Sequence, residues 1–258
     1  MSVAPLLPPE PTHSTAAILV AAGSGRRMGF DKILAPLCGR PVLLWSVEAF
    51  QSCSEISVVA VVCPPGREDE FAALCAGFSK VGPIVPGGGE RRDSVRNGLD
   101  AIASRIPPPD FVAVHDAARP LVTPGMVTGV VRAAWHSGAS VAAEPVSDTL
   151  HRVASDGLLE STVSRENLWA MQTPQVARIG WLQSALASAL ADGRPVTDEM
   201  SALLETGHRP VPFAHAETNF KITYPRDLEL AAAILDERAR RARFSVDSDM
   251  KPATLPTQ

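Results

Sequence analysis

Long apolar runs are missing from this chain of 258 residues; none of its apolar stretches approaches the roughly 18 residues that a bilayer-spanning helix needs. The first fifteen residues also lack the basic-then-apolar order of a secretory signal, so a soluble, cytoplasmic protein with no membrane contact is expected. Positive charge is not in excess: 24 Lys and Arg against 28 Asp and Glu leave a formal net charge of -4. That excludes a general attraction to nucleic acid or anionic membranes, and any phosphate-binding charge has to be local. Cysteine is scarce, and Cys38, Cys53, Cys63 and Cys75 form no C-x-x-C pair and have no histidines at ligand spacing. A zinc ribbon or a disulfide framework is thereby excluded, and the four read as small buried residues in a reducing compartment. No internal repeat is present.

What is present is alternation. Short apolar or β-branched runs at Ala17–Ala21, Ser57–Cys63, Val81–Val85 and Phe111–His115 predict buried strands. Helical patterns at Pro41–Gln51, Arg67–Phe78, Glu90–Ser104 and Pro124–Ser137 lie between or after them. This order predicts an α/β fold with a mostly parallel twisted sheet and helices on both faces. After a strand at Ser140–Ala143 the alternation stops, and residues 144–173 read as a projecting arm with a hairpin about Ser155-Asp156-Gly157. Helices follow at Ile179–Ala191, at Asp198–Glu205 with Thr197 as a possible cap, and from Pro225 to about Arg241, with a strand at Arg209–Pro212. Residues 1–15 and 243–258 read as disordered tails around a single domain of residues 16–242.

Three segments carry candidate chemistry. Directly after the first strand comes Ala21-Ala22-Gly23-Ser24-Gly25-Arg26-Arg27-Met28-Gly29. Its glycines let the backbone approach phosphate oxygens, and its spacing, with two arginines inside, departs from the dinucleotide fingerprint in favour of a triphosphate. Arg27 and Lys32 beside that loop can neutralise charge on an attacked phosphate, although Lys32 is equally compatible with a solvated loop lysine. The second segment, Gly87-Gly88-Gly89-Glu90-Arg91-Arg92-Asp93-Ser94, suits hydrogen bonds to a base edge through its backbone and Ser94, with Arg91 or Arg92 open to being exposed helix charges. The third, His115-Asp116-Ala117-Ala118-Arg119-Pro120, lies where ligands bind in open α/β sheets. Asp116 there can approach Mg²⁺ or a substrate hydroxyl, Arg119 can grip an anion, and the pair is also open to a plain turn cap with its ion-pair partner. His115 reads as structural, because an ionised phosphate nucleophile needs no proton abstraction. Late in the chain, Lys221 ends an apolar run and can touch two phosphates at once.

Together these pieces resemble the 2-C-methyl-D-erythritol 4-phosphate cytidylyltransferase family over about Ala16 to Leu235, with the segments AAGSGRRM, GGGERRDSV, VHDAARP, TVSRENLW, QTPQ, TDEMSALL and NFKITYPRDL in order. The resemblance implies a Rossmann-like nucleotidyltransferase in which a polyol phosphate attacks the α-phosphorus of CTP, releasing pyrophosphate with a divalent cation, Mg²⁺, held mainly through the CTP phosphates and by Asp116. It implies that Arg27 and Lys32 stabilise the pentacoordinate phosphorus, with Lys221 beside them. Ala21, Ala22, Gly23, Gly25, Gly88 and Ser94 would surround the nucleotide. Asp116, Arg119, Thr197 and Lys221 would form the substrate site, and Thr162 and Arg178, matching positions of the family's arm, would complete the site of a partner subunit in a homodimer joined through that arm.

Two departures stand out. The usual P-K-Q is Asp31-Lys32-Ile33 here, and Gly89 stands where an acid is often found. The competing expectations are a cytidylyltransferase for another polyol phosphate such as ribitol 5-phosphate, and a non-catalytic nucleotide-binding regulator. A nicotinamide oxidoreductase is disfavoured because Cys63-Pro64-Pro65 ends the second strand where an acid should hold a ribose. Relatives with a fused cyclase domain would be longer than this chain.

Overall fold

The computed structural model describes residues 13–23 and 29–249, with side chains through residue 243. In chain order the elements are β1 (Thr15–Val20), β2 (Pro36–Leu37), β3 (Arg40–Pro41), α1 (Val42–Gln51), β4 (Ile56–Cys63), α2 (Glu68–Cys75), β5 (Val81–Pro86), α3 (Arg91–Ala103) and β6 (Phe111–Asp116). There follow α4 (Pro124–Ser137), β7 (Ala139–Pro145), β8 (Leu150–Val153), β9 (Leu159–Val163), β10 (Trp169–Arg178), α5 (Ile179–Ala191), α6 (Glu199–Glu205), β11 (Val211–Ala214) and α7 (Pro225–Asp249).

Seven strands form one sheet in the order β11-β7-β10-β6-β1-β4-β5. Pairing is parallel except where β10 runs antiparallel to both β6 and β7. All six residues of β6 are buried, and β4 is buried but for Ser57, which is why these strands read as continuous apolar runs. One face packs under α1, α2 and α4 through Leu43, Phe50, Phe71 and Val130; the other packs under α3, α5 and α6 through Leu99, Ile102, Leu182 and Leu203. A third cluster joins Leu37, Val42, Leu121 and Ile222 to Ala231 and Leu235 of α7.

Local signals explain the boundaries. Thr123 caps α4 by accepting from Met126 N–H at 3.2 Å, Pro124 takes the first turn, and Gly138 ends the helix at φ 87°. A side chain there would be strained and would also meet Trp181, since an added Cβ lies 2.3 Å from its ring.

Several expectations need correcting. The stretch taken for an arm, 144–173, holds two different things. β8 and β9 pair as an exposed hairpin outside the main sheet, but residues 169–173 belong to β10, a strand within that sheet. The chain is structured earlier than residue 16: Thr15 opens β1, and Ser14 donates to Asp110 from its N–H and its hydroxyl, at 2.8 and 2.9 Å. At the other end α7 continues to Asp249, through the start of the expected tail, because its Ala- and Arg-rich turns favour helix and Glu237 pairs with Arg240 and Arg241. Residues 1–12 and 250–258 lie outside the described residues. Asp198 rather than Thr197 caps α6, accepting from Ser201 N–H at 2.9 Å. Cys53, Cys63 and Cys75 are buried, whereas Cys38 is exposed in a turn at φ 49°.

Candidate functional site

The chain runs from β1 outward through β4 to β5 on one side, and β6 lies on the other side of β1. The crevice beyond the carboxyl ends of β1 and β6 is therefore a switch point of the sheet, where α/β folds bind ligands. Val20 and Asp116 align there. Ala21 N–H donates to Val62 O at 2.7 Å and Ala117 N–H to Val20 O at 3.1 Å, so both loops leave the ladder in fixed directions.

The first two candidate loops meet. Gly87 N–H donates to Cys63 O at 2.8 Å, and a Cβ at Gly87 would lie 2.3 Å from the Ala22 Cβ, so only glycine allows this approach. Gly88 N–H donates to the Ser94 hydroxyl at 3.1 Å, which itself reaches Glu90 O at 3.3 Å. Ser94 thus braces the loop that carries Gly88. Ala21 is buried in the core at the start of the first loop, Ala22 meets Gly87, and Gly23 follows it; Gly25 and Arg27 lie outside the described residues.

Asp116 is the centre of the charges. Its Oδ2 accepts from Lys221 Nζ at 2.7 Å and its Oδ1 from Arg91 Nε at 3.1 Å. Burial alone would raise its pKa, but the charges of Arg91 and Lys221 and the Lys221 hydrogen bond, with Arg119 behind them, hold it well below the usual carboxylate range. Arg91 in turn makes a bidentate pair with Glu199, at 2.6 and 3.0 Å. Arg119 donates to Asn219 O at 2.8 Å, and Ile222 N–H donates to Ala118 O at 2.8 Å, which seats residues 219–222 along the Asp116–Arg119 turn. Lys32 Nζ reaches Ile222 O at 2.8 Å and is nearly buried. The solvated-loop alternative for Lys32 is thereby excluded. Asp31 does not compete with it, for its carboxylate pairs with Arg67, just ahead of α2, at 2.5 Å and accepts from Ile33 N–H at 3.0 Å.

His115 organises the turn beneath. Asp116 N–H donates to Thr173 Oγ1 at 3.1 Å, and that hydroxyl lies 3.0 Å from His115 Nδ1, while Nε2 lies 3.3 Å from Arg119 O. A neutral imidazole with its proton on Nε2 satisfies every contact. Complete burial pushes His115 down to about 3. The folded value lies below the unfolded value of about 6.5, so the stability it confers is present above pH ~6.5 and declines as pH falls. Urea unfolding is expected to show the folded state weakening between pH 6.5 and 5 by up to about 1.4 kcal/mol per unit. A His115→Asn variant that is stable at pH 7 should be nearly flat across that interval; an equally steep variant would assign the slope elsewhere.

Not all the candidates converge. Asp116, Arg119, Lys221 and Lys32 come together, while Thr197 is exposed ahead of α6, its hydroxyl 3.2 Å from Ser201 Oγ. Thr162 sits on the exposed β9 with its hydroxyl 3.4 Å from His151 Nδ1. Arg178 is not on the arm. It ends β10 opposite Phe111, over whose ring it lies, so it faces the amino end of β6, roughly 17 Å along the strand from Thr173. Arg91 and Glu199 are the site residues the sequence leaves unsettled or silent, since no local pattern announces an ion pair across 108 positions. Among the described residues no group of three His, Cys, Asp or Glu side chains forms a metal cage, and no helix is long and apolar enough to cross a membrane.

The model of the 2-C-methyl-D-erythritol 4-phosphate cytidylyltransferase family matches residues 15–237. The enzyme of that name from Symbiobacterium thermophilum is 42% identical over 226 residues, covering 87% of this chain and 94% of its own. The crystal structure of the Thermus thermophilus enzyme of that name superposes with a TM-score of 0.71 at 32% identity, covering 85% and 98% of the two chains. A synthase structure from Anaerococcus prevotii, at 23% identity and TM-score 0.75, agrees in fold.

Proposed function

Because the chain belongs to the 2-C-methyl-D-erythritol 4-phosphate cytidylyltransferase family, its reaction is transfer of the cytidylyl group from CTP to that acceptor, and we propose that the switch-point crevice around Asp116 performs it. The products are 4-diphosphocytidyl-2-C-methyl-D-erythritol and pyrophosphate, a step in making isoprenoid precursors. The observation that carries the site is the Asp116 carboxylate gripped by Lys221 and Arg91, with Lys32 on the adjoining Ile222 carbonyl.

In this reading Ala21, Ala22, Gly23, Gly25, Gly88 and the Ser94-braced loop enclose the nucleotide. Lys32, and Arg27 by the family resemblance, would stabilise charge on the α-phosphate as the acceptor phosphate attacks in line. Lys221 and Arg119 hold the acceptor phosphate, and Asp116 and Thr197 orient its polyol. No general base is required, which agrees with an imidazole at His115 that is buried and bonded at both nitrogens. Asp116 is an ionised, hard oxygen donor, suited to add one ligand to a Mg²⁺ held chiefly by CTP phosphates and water. That ion supplies charge neutralisation of the triphosphate.

The arm is read as the homodimer contact. Val153, Leu158 and Leu159 on it are at least 60% exposed, and an isolated two-stranded hairpin is marginal in water, so the arm calls for a partner surface. Thr162, and Arg178 from the far end of β10, would then act on the partner subunit's site. The protein is read as cytosolic. The test mixes Lys32→Ala and Thr162→Ala chains, each inactive or impaired alone, and follows pyrophosphate release. A random equimolar mixture should recover about a quarter of wild-type activity, since about half of its dimers are heterodimers and each has one of its two sites intact; no recovery on verified heterodimers removes the shared site.

A further inference from the structure

The residue that positions the gripped carboxylate is itself hidden. Glu199 is 1% exposed, in the first turn of α6, where the helix dipole favours a carboxylate. Its place is fixed from β10: Gln175 donates to Asp198 Oδ2 at 2.8 Å and accepts from Met200 N–H at 3.2 Å, tying both neighbours of Glu199 to the sheet. From there Glu199 takes both terminal nitrogens of Arg91, and Asp116 is left with the single Nε–H.

That division matters because guanidinium and carboxylate groups favour a bidentate pair. Two carboxylates face one Arg91, and the end-on fork of its two terminal nitrogens is taken by Glu199. Were Asp116 to hold it, Arg91 would engage both oxygens and draw Oδ2 from Lys221. We propose that Glu199 is a positioning residue for the transfer reaction: by holding Arg91 at its two terminal nitrogens, it leaves Asp116 shared between Arg91 and Lys221 and open to the substrate. The proposal rests on the reading of Asp116 as a substrate-site residue. It gives Glu199 a role beyond tethering α3 to α6, and it assigns Arg91 as the group through which Glu199 acts.

Glu199→Gln keeps the shape and removes the charge. Its kcat/KM for the acceptor, read by pyrophosphate release at saturating CTP, is expected to fall at least tenfold. Adding Arg91→Lys to that variant should restore at least threefold, since an ammonium has no fork with which to clamp Asp116. A mere tether predicts a lower melting temperature in Glu199→Gln with kcat and KM within twofold of wild type, and no recovery in the double variant; either kinetic result overturns the proposal. Asp116→Asn is run alongside: near-normal activity there sinks the reading of Asp116, whereas a dead Asp116→Asn with a normal Glu199→Gln sinks only the role of Glu199. Should Glu199→Gln not fold, Glu199→Asp, which keeps the charge but is too short for both nitrogens, is expected to lose at least threefold, and wild-type kinetics in it overturn the proposal equally.

Discussion

Lys32→Ala is expected to slow turnover by about 10²–10³-fold while moving the Kd for CTP by no more than about threefold. The ammonium is already in place, nearly buried and hydrogen-bonded to Ile222 O at 2.8 Å, so no reorganisation is needed when charge develops on the attacked phosphorus. In the proposed site a ground-state triphosphate would have other partners in the two glycine loops, so the lysine's distinctive contribution would fall on the transition state. Single-turnover pyrophosphate release gives the rate, and calorimetric titration with CTP gives the affinity. Equal losses in both would make Lys32 a simple binding charge.

Asp116→Asn is expected to be as damaging to rate, at about 10³-fold, and to weaken the fold as well. Its removal leaves Lys221, about a third exposed, without its anion and Arg91 with Glu199 alone, a loss of charge-assisted hydrogen bonds that costs about 1–3 kcal/mol. The pH dependence has a definite sign. Because the folded pKa of Asp116 is depressed, its stabilisation is complete above the unfolded carboxylate range near 4 and is lost as pH falls toward the folded value. The stability gap between wild type and variant, from urea melts, should be constant from pH 7 to about 5 and narrow below it. A variant as stable as wild type at pH 7 would mean the carboxylate is not gripped as described.

The strands β1, β4 and β6 were legible within two residues of their ends, since burial on both faces leaves an unbroken apolar run bounded by turns; β5, expected as a buried strand, is the edge strand and is only half-buried, yet Val81, Ile84 and Val85 marked its place. β10 was not. Its buried polar residues, Gln172, Thr173 and Gln175, make it look like loop, and its ladder to β7 breaks between Met171 and Gln175, where those side chains turn toward Asp116 and α6. Asp116, Arg119 and Lys221 could be picked out because each sits at the end of a strand-like run in a distinctive segment. Arg91 and Glu199 carry ordinary surface residue types, and only the fold shows that they are a buried pair. The α6 cap was misplaced by one position because Thr197 and Asp198 are both competent caps.

The contacts that close the crevice join residues 100 to 108 positions apart: Arg119 to Asn219, Asp116 to Lys221, Arg91 to Glu199. A ribosome adds about 5–20 residues per second, so the Asp116 turn is made some 5–20 seconds before Lys221 exists. A growing chain therefore lays down β1, β4, β5 and β6 while the proposed phosphate-handling end is still unassembled, and on that reading the nascent protein is chemically silent until the segment ahead of α7 has emerged.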